Sequence, residues 1–109
     1  MQSKDLEIFN QMPFLFWVKD EESRYVWGNR VINDLAGRSV VGKTDSELPW
    51  AENAAALVAD DRLVLETDKP VFTNEHVDNP DNVTLSVCKF PGELDGKRCT
   101  FGISFAIEK

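Results

Sequence analysis

The 109-residue sequence contains one histidine and two cysteines, and no apolar run approaches the roughly 20 residues a membrane helix needs. Cys88 and Cys99 are too few for a disulfide framework and have no metal-ligand spacing around them. The sequence shows no nucleophile–base pair or metal constellation, and no second histidine is available, so neither a catalytic residue nor a metal site is assigned. The opening Met1-Gln2-Ser3-Lys4-Asp5-Leu6-Glu7 lacks the basic-then-apolar order of a signal peptide. Basic residues are also scarce, 12 against 19 acidic, for a formal net charge of −7. Phosphate backbones call for the opposite sign, so nucleic acid is not expected as a partner. An acidic surface mainly favours solubility. The expectation is a cytoplasmic domain that makes no membrane contact.

A 42% hydrophobic composition over this length implies one core and one folded unit. Residues 4–11 carry Leu6, Ile8 and Phe9 on roughly one side and suit a short amphipathic helix. At eight residues such a helix is not stable alone and must dock, within one chain or across two. Residues 1–12 are therefore assigned to an N-terminal helical segment and residues 13–109 to the domain proper. Phe14–Val18 is short and aromatic, as a strand is. A polar turn, Asp20-Glu21-Glu22-Ser23, separates it from a second strand at Tyr25–Trp27. Asn29 fits an N-cap for the helix of Val31, Ile32 and Leu35, which Gly37 would end. Thr44 and Glu47 fit a capping box.

Glu52–Glu66 is rich in Ala and Leu and reads as the longest helix. Strands follow at Val71–Val77, Val83–Phe90 and Arg98–Ile107. A turn is placed at residues 78–82, and Pro91-Gly92 and Asp95-Gly96 mark the connection before the last strand. A tight Asp95-Gly96 turn sets Leu94 opposite Lys97, Cys88 opposite Ile103 and Cys99 opposite Gly92. The cysteines are then four positions out of register, roughly 13 Å apart, so both should remain thiols.

This order of elements resembles a PAS domain over nearly the whole chain. Asp20, Asn29, Gly42-Lys43-Thr44-Asp45 before Leu48-Pro49-Trp50, Asp61, Lys89-Phe90-Pro91, Gly96 and Gly102-Ile103 carry the likeness. At the end the chain reads Ala106-Ile107-Glu108, where many PAS domains have Asp-Ile-Thr. The resemblance implies an α+β fold. Its five-stranded antiparallel sheet would carry short helices and one longer helix over one face, plus an N-terminal helix.

For function, the resemblance implies a non-enzymatic sensory module of a multidomain signalling protein, in the first place a sensor histidine kinase, with a diguanylate cyclase also open. Its expected partners are a second copy, a covalently linked output domain and a candidate small-molecule ligand. The alternative is a ligand-free dimerisation module. No cofactor is assigned. Haem is disfavoured because haem-binding relatives carry their His on the helices, and photoactive flavin because neither cysteine lies there. The family cavity lies under the long helix, which makes Trp50 the first candidate for a cavity or lid residue. Leu57, Phe72, Phe101 and Ile103 are its candidate neighbours. His76 is added as a partly buried structural residue on the same strand as Phe72. Trp17 and Trp27 are read as core filling. Asp60-Asp61 and Asp45-Glu47 are the carboxylate clusters near helices; no acid–base role is assigned to them, Asp60 being read as a solvated helix face and Asp45 and Glu47 as a local capping interaction.

Overall fold

In the computed structural model, residues 1–76 and 84–107 are described. Five strands, β1 (Leu15–Lys19), β2 (Tyr25–Gly28), β3 (Val71–His76), β4 (Thr84–Leu94) and β5 (Lys97–Ile107), form one sheet in the order β2-β1-β5-β4-β3. Every pairing is antiparallel. The helices α1 (Arg30–Ala36) and α2 (Ala54–Thr67), with 3₁₀ turns at Asp45–Glu47 and Ala51–Asn53, connect β2 to β3. The proposed turn at 78–82, together with Val77, Val83 and Glu108, lies outside the described residues.

The Asp95-Gly96 turn has both residues at positive φ, 52° and 79°, a backbone that matches the twist of a tight hairpin. It fixes the expected register: Leu94 faces Lys97, Cys88 faces Ile103 and Gly92 faces Cys99. Both cysteines are free thiols. β4, however, runs through Pro91-Gly92 instead of stopping there. Its pairing with β3 ends at Lys89, opposite Val71. Pro91 therefore lies on an open edge, where its missing N–H leaves no ladder bond unmade.

Register sorts the side chains into two faces. Leu15, Trp17, Lys19, Val87, Lys89 and Ser104 point toward the helices. Phe16, Val18, Phe90, Phe101 and Ile103 point away, into a cluster with Leu6, Leu94 and Cys99. The N-terminal segment covers that outer cluster as a 3₁₀ helix, Ser3–Gln11. Three residues per turn line up Leu6, Phe9 and Met12, all packed on the cluster, and Phe9 stacks on Phe16 at 4.4 Å. An α-helical spacing had grouped Ile8 with them, but Ile8 is 69% exposed.

Asn29 does more than cap α1. Its Oδ1 accepts from Ile32 N–H and Phe16 N–H, both at 3.2 Å. Its Nδ2 donates to the carbonyls of Phe9, 2.9 Å, and Phe14, 2.8 Å. One fully buried amide thus ties the N-terminal segment, β1 and α1 together. Glu47 accepts from the Thr44 N–H at 3.1 Å, and that bond, with the one to the Thr44 hydroxyl, holds the Glu47 carboxyl below its ordinary range.

Candidate functional site

Between the inner sheet face and the helices lies a cavity of about 240 Å³. Leu15, Trp17, Lys19, Tyr25, Leu85, Val87, Lys89 and Ser104 form its sheet side. Ile32, Leu35, Pro49, Trp50, Glu52, Asn53 and Leu57 form the helical side. Leu57, Asp61 and Val64 recur at helical spacing and turn one stripe of α2 toward the sheet.

Four charged side chains, Lys19, Lys89, Asp45 and Asp61, are buried here at 0–1% exposure. Lys19 Nζ lies 2.5 Å from Asp45 Oδ2 and 2.8 Å from Asp61 Oδ2. It also sits 4.7 Å from the centre of the Tyr25 ring. Lys89 Nζ lies 3.1 Å from Asp61 Oδ1 and donates to the Leu57 carbonyl, also at 3.1 Å. The Lys89–Asp61 contact is an ion pair off the hydrogen-bonding direction, so Oδ1 accepts no hydrogen bond. Asp45 Oδ1 accepts from Tyr25 OH at 2.7 Å and Trp50 Nε1 at 2.8 Å. Burial, then the Asp45 charge, holds the Tyr25 hydroxyl far above its ordinary pKa. Tyr25 therefore stays protonated and donates.

Two residues of the cavity wall each carry a buried polar atom with no partner among the described residues: Trp17 Nε1 and Ser104 Oγ. Buried polar groups are normally paired, and an orphan calls for an explanation. The Trp17 indole lies flat over Gly102, where an added Cβ would come within 2.2–2.6 Å of its ring atoms. Only a glycine lets the indole settle at this level. Among the described residues, no group of His, Cys, Asp and Glu is arranged to hold a metal. What the arrangement offers chemically is recognition by two orphan polar groups, an ammonium and an apolar surround.

Of the candidate cavity residues, Trp50 and Leu57 line the cavity. Phe72, Phe101 and Ile103 are corrected. Phe101 and Ile103 belong to the outer cluster, and Phe72, opposite Cys88, is 74% exposed. His76 pairs with Thr84 at the end of the β3–β4 ladder, and its side chain lies outside the description. Trp27 packs against Phe16 in the outer cluster, whereas Trp17 is a wall residue as well as core. Asp45, expected as a capping group, is a buried ion-pair partner, and so is Asp61. Sequence reading missed Lys19 and Lys89, and a signal was present: Lys19 closes the apolar strand β1, and Lys89 falls between Cys88 and Phe90 in β4.

A family model described as the PAS fold matches residues 9–106. Comparison with curated proteins finds no match. Among solved structures, the chain is similar to the Vibrio cholerae VqmA dimer in the absence of target DNA. Identity is 28% with a TM-score of 0.83, covering 95% of this chain and 50% of that one. It is similar to VqmA bound to DPO at 27% identity and TM-score 0.82, covering 95% and 57%. A sensory box sensor histidine kinase from Vibrio cholerae shares the fold at TM-score 0.72 and 12% identity, covering 94% and 89%. The chain thus spans about half the length of the VqmA structures it matches. These matches correct the exclusion of nucleic acid as a partner, since VqmA is a DNA-binding receptor. A net charge of −7 describes the surface of these residues, not the partners of a longer protein. Among the described residues, no helix is long and apolar enough to cross a membrane.

Proposed function

The chain belongs to the PAS family, a sensory and non-catalytic kind of domain, and from that premise we propose that it binds a small molecule in the cavity beneath α2. The observation that carries the reading is the pair of orphan polar atoms, Trp17 Nε1 and Ser104 Oγ, held by two residues of that cavity's wall. Lys89 lies on the same wall, and Trp50 joins the cavity to the buried ion pairs through Asp45. A ligand that accepts from the indole N–H and engages the serine hydroxyl satisfies groups that otherwise stay unpaired. Occupancy then acts by favouring the conformation in which these contacts are made.

As for the parent protein, the histidine kinase expectation rests on the shared fold. The higher identity to VqmA favours a DNA-binding receptor, in which this domain takes the ligand and another part contacts DNA. A homodimer belongs to the same proposal. Phe14 and Phe105, 5.5 Å apart, leave an exposed apolar strip beside the N-terminal segment, and sedimentation with and without residues 1–11 tests it.

Titration with DPO, the ligand of the VqmA structure, tests the pocket, with the Trp17 indole N–H resonance as the readout. Saturable one-to-one binding that shifts this resonance is expected. Gly102→Ala, which drives the indole toward the cavity, should weaken binding by about tenfold or more. The reading is overturned if DPO leaves the resonance unmoved and native mass spectrometry finds no small molecule retained.

A further inference from the structure

The four buried charges are balanced, two positive and two negative, but their compensation is unevenly shared. Asp45 is taken by Lys19, Tyr25 and Trp50. Asp61 divides its oxygens, Oδ2 to Lys19 and Oδ1 to Lys89. The other contact of Lys89 is uncharged, the Leu57 carbonyl. Among the described residues, Asp61 is thus the one carboxylate that neutralises Lys89. Lys89 is on the cavity wall and Asp61 is not.

Resting on the ligand-binding reading above, we propose that Asp61 is a positioning residue that sets the charge specificity of the cavity. By neutralising Lys89 from behind, it makes the cavity select an uncharged molecule. An anion entering the cavity meets an ammonium already paired, with two buried carboxylates close by. A cation meets two buried ammoniums. The one other charged residue on the wall besides Lys19 and Lys89, Glu52, is exposed and keeps its carboxylate in water, so either ion loses its hydration without gaining a buried counter-charge, and burying an unpaired charge is costly. An uncharged molecule with acceptor atoms escapes that cost and still lies against the polar side chains of Trp17, Ser104 and Lys89.

The proposal makes an antisymmetric prediction, which a loss of packing alone cannot imitate. Three probes of nearly equal shape differ in charge near neutral pH: benzamide, benzoate and benzamidinium. Each is titrated into the wild-type protein, Asp61→Asn and Lys89→Met, with the Trp17 indole resonance as the readout. Wild type should prefer benzamide to both ions. Asp61→Asn leaves Lys89 without its carboxylate, so the benzoate-to-benzamide affinity ratio should rise about tenfold or more. Lys89→Met leaves an excess of carboxylate, so the benzamidinium-to-benzamide ratio should rise instead. If either variant fails to fold, the wild-type preference and the other variant still decide. Probes that bind with unchanged ratios, or a wild type that prefers either ion, overturn the charge-selection proposal alone. Failure of all three to move the Trp17 resonance in wild type and both variants also overturns the charge-selection proposal, whereas the ligand-binding reading stands or falls with the DPO titration.

Discussion

The two faces of the sheet are built from the same strands and stabilised in opposite ways. The outer face carries an apolar cluster: Phe16, Phe101, Leu94 and Cys99 pack beneath Leu6, with Phe9 stacked on Phe16. The inner face holds a cavity and four buried charges. Apolar packing favours the folded state directly. A buried ion network does not, because desolvation offsets much of its Coulomb gain. The outer face therefore supplies stability, and the inner face uses some of it to keep polar groups dry around a cavity.

The largest expected effect comes from breaking the inner network at one point. Asp45→Ala strips Lys19 of one carboxylate and leaves Tyr25 OH and Trp50 Nε1 without their acceptor. We expect a loss of roughly 3–5 kcal/mol, the usual cost of orphaning one side of a buried pair, read by urea denaturation. The double replacement Lys19→Met with Asp45→Leu sharpens the comparison. It should recover a large part of the loss, because Asp61 keeps Lys89. A double variant no more stable than Asp45→Ala would mean that the inner charges, like the outer packing, are there for stability.

On the outer face, Leu6→Ala removes a fully buried side chain. The expected loss is about 3 kcal/mol, as for other large-to-small core changes. Binding at the inner face should be unaffected under conditions where the variant is folded. A Leu6→Ala protein with altered DPO affinity would show that the two faces are coupled.

Asn29 is where the faces meet, and Asn29→Ala should cost about 2 kcal/mol for its lost buried hydrogen bonds. The Phe16 and Ile32 amides, which donate to its Oδ1, should exchange faster with solvent. Unchanged exchange at both would remove Asn29 from this role.

The two faces were not equally legible in sequence. Element order, the Asn29 cap and the β4–β5 register could be read because each is a local signal. The Asp95-Gly96 turn alone fixes the pairing of Cys88 with Ile103. Which side α2 covers is not local. The last strands are partly apolar on both faces, so alternation could not choose, and Phe101 and Ile103 were assigned to the wrong side. The same ambiguity hid the 3₁₀ segment, where Leu6, Phe9 and Met12 follow a period of three. Lys19, Asp45, Asp61 and Lys89 are brought together from β1, a 3₁₀ turn, α2 and β4. No sequence spacing encodes that meeting. Only a lysine closing the apolar β1 and another between Cys88 and Phe90 in β4 pointed toward it.

The smallest effect is expected where the outer covering is fastened at its end. Asp95 Oδ1 accepts from the Ser3 N–H at 2.9 Å, and the Asp95 N–H donates to the Met1 carbonyl at 2.9 Å. The Ser3 hydrogen bond holds the Asp95 carboxyl below its ordinary range. A carboxyl whose folded pKa is depressed favours the folded state above its unfolded value and loses that contribution as pH falls through the folded one. The fastening should hold at neutral and mildly acidic pH and release only below the ordinary aspartate value of about 3.9. Hydrogen exchange at Ser3 reads this directly. Asp95→Ala should release Ser3 at every pH, whereas Asp95→Asn, whose amide oxygen still accepts, should leave the bond in place and abolish its pH dependence. Asp95→Asn should leave Leu6 and the inner cavity undisturbed, because asparagine tolerates the positive φ of this turn, Asp95 is exposed, and the apolar contacts of Leu6 do not depend on its carboxylate. Equal exchange at Ser3 in wild type and Asp95→Ala at neutral pH would show that apolar packing alone holds the segment down.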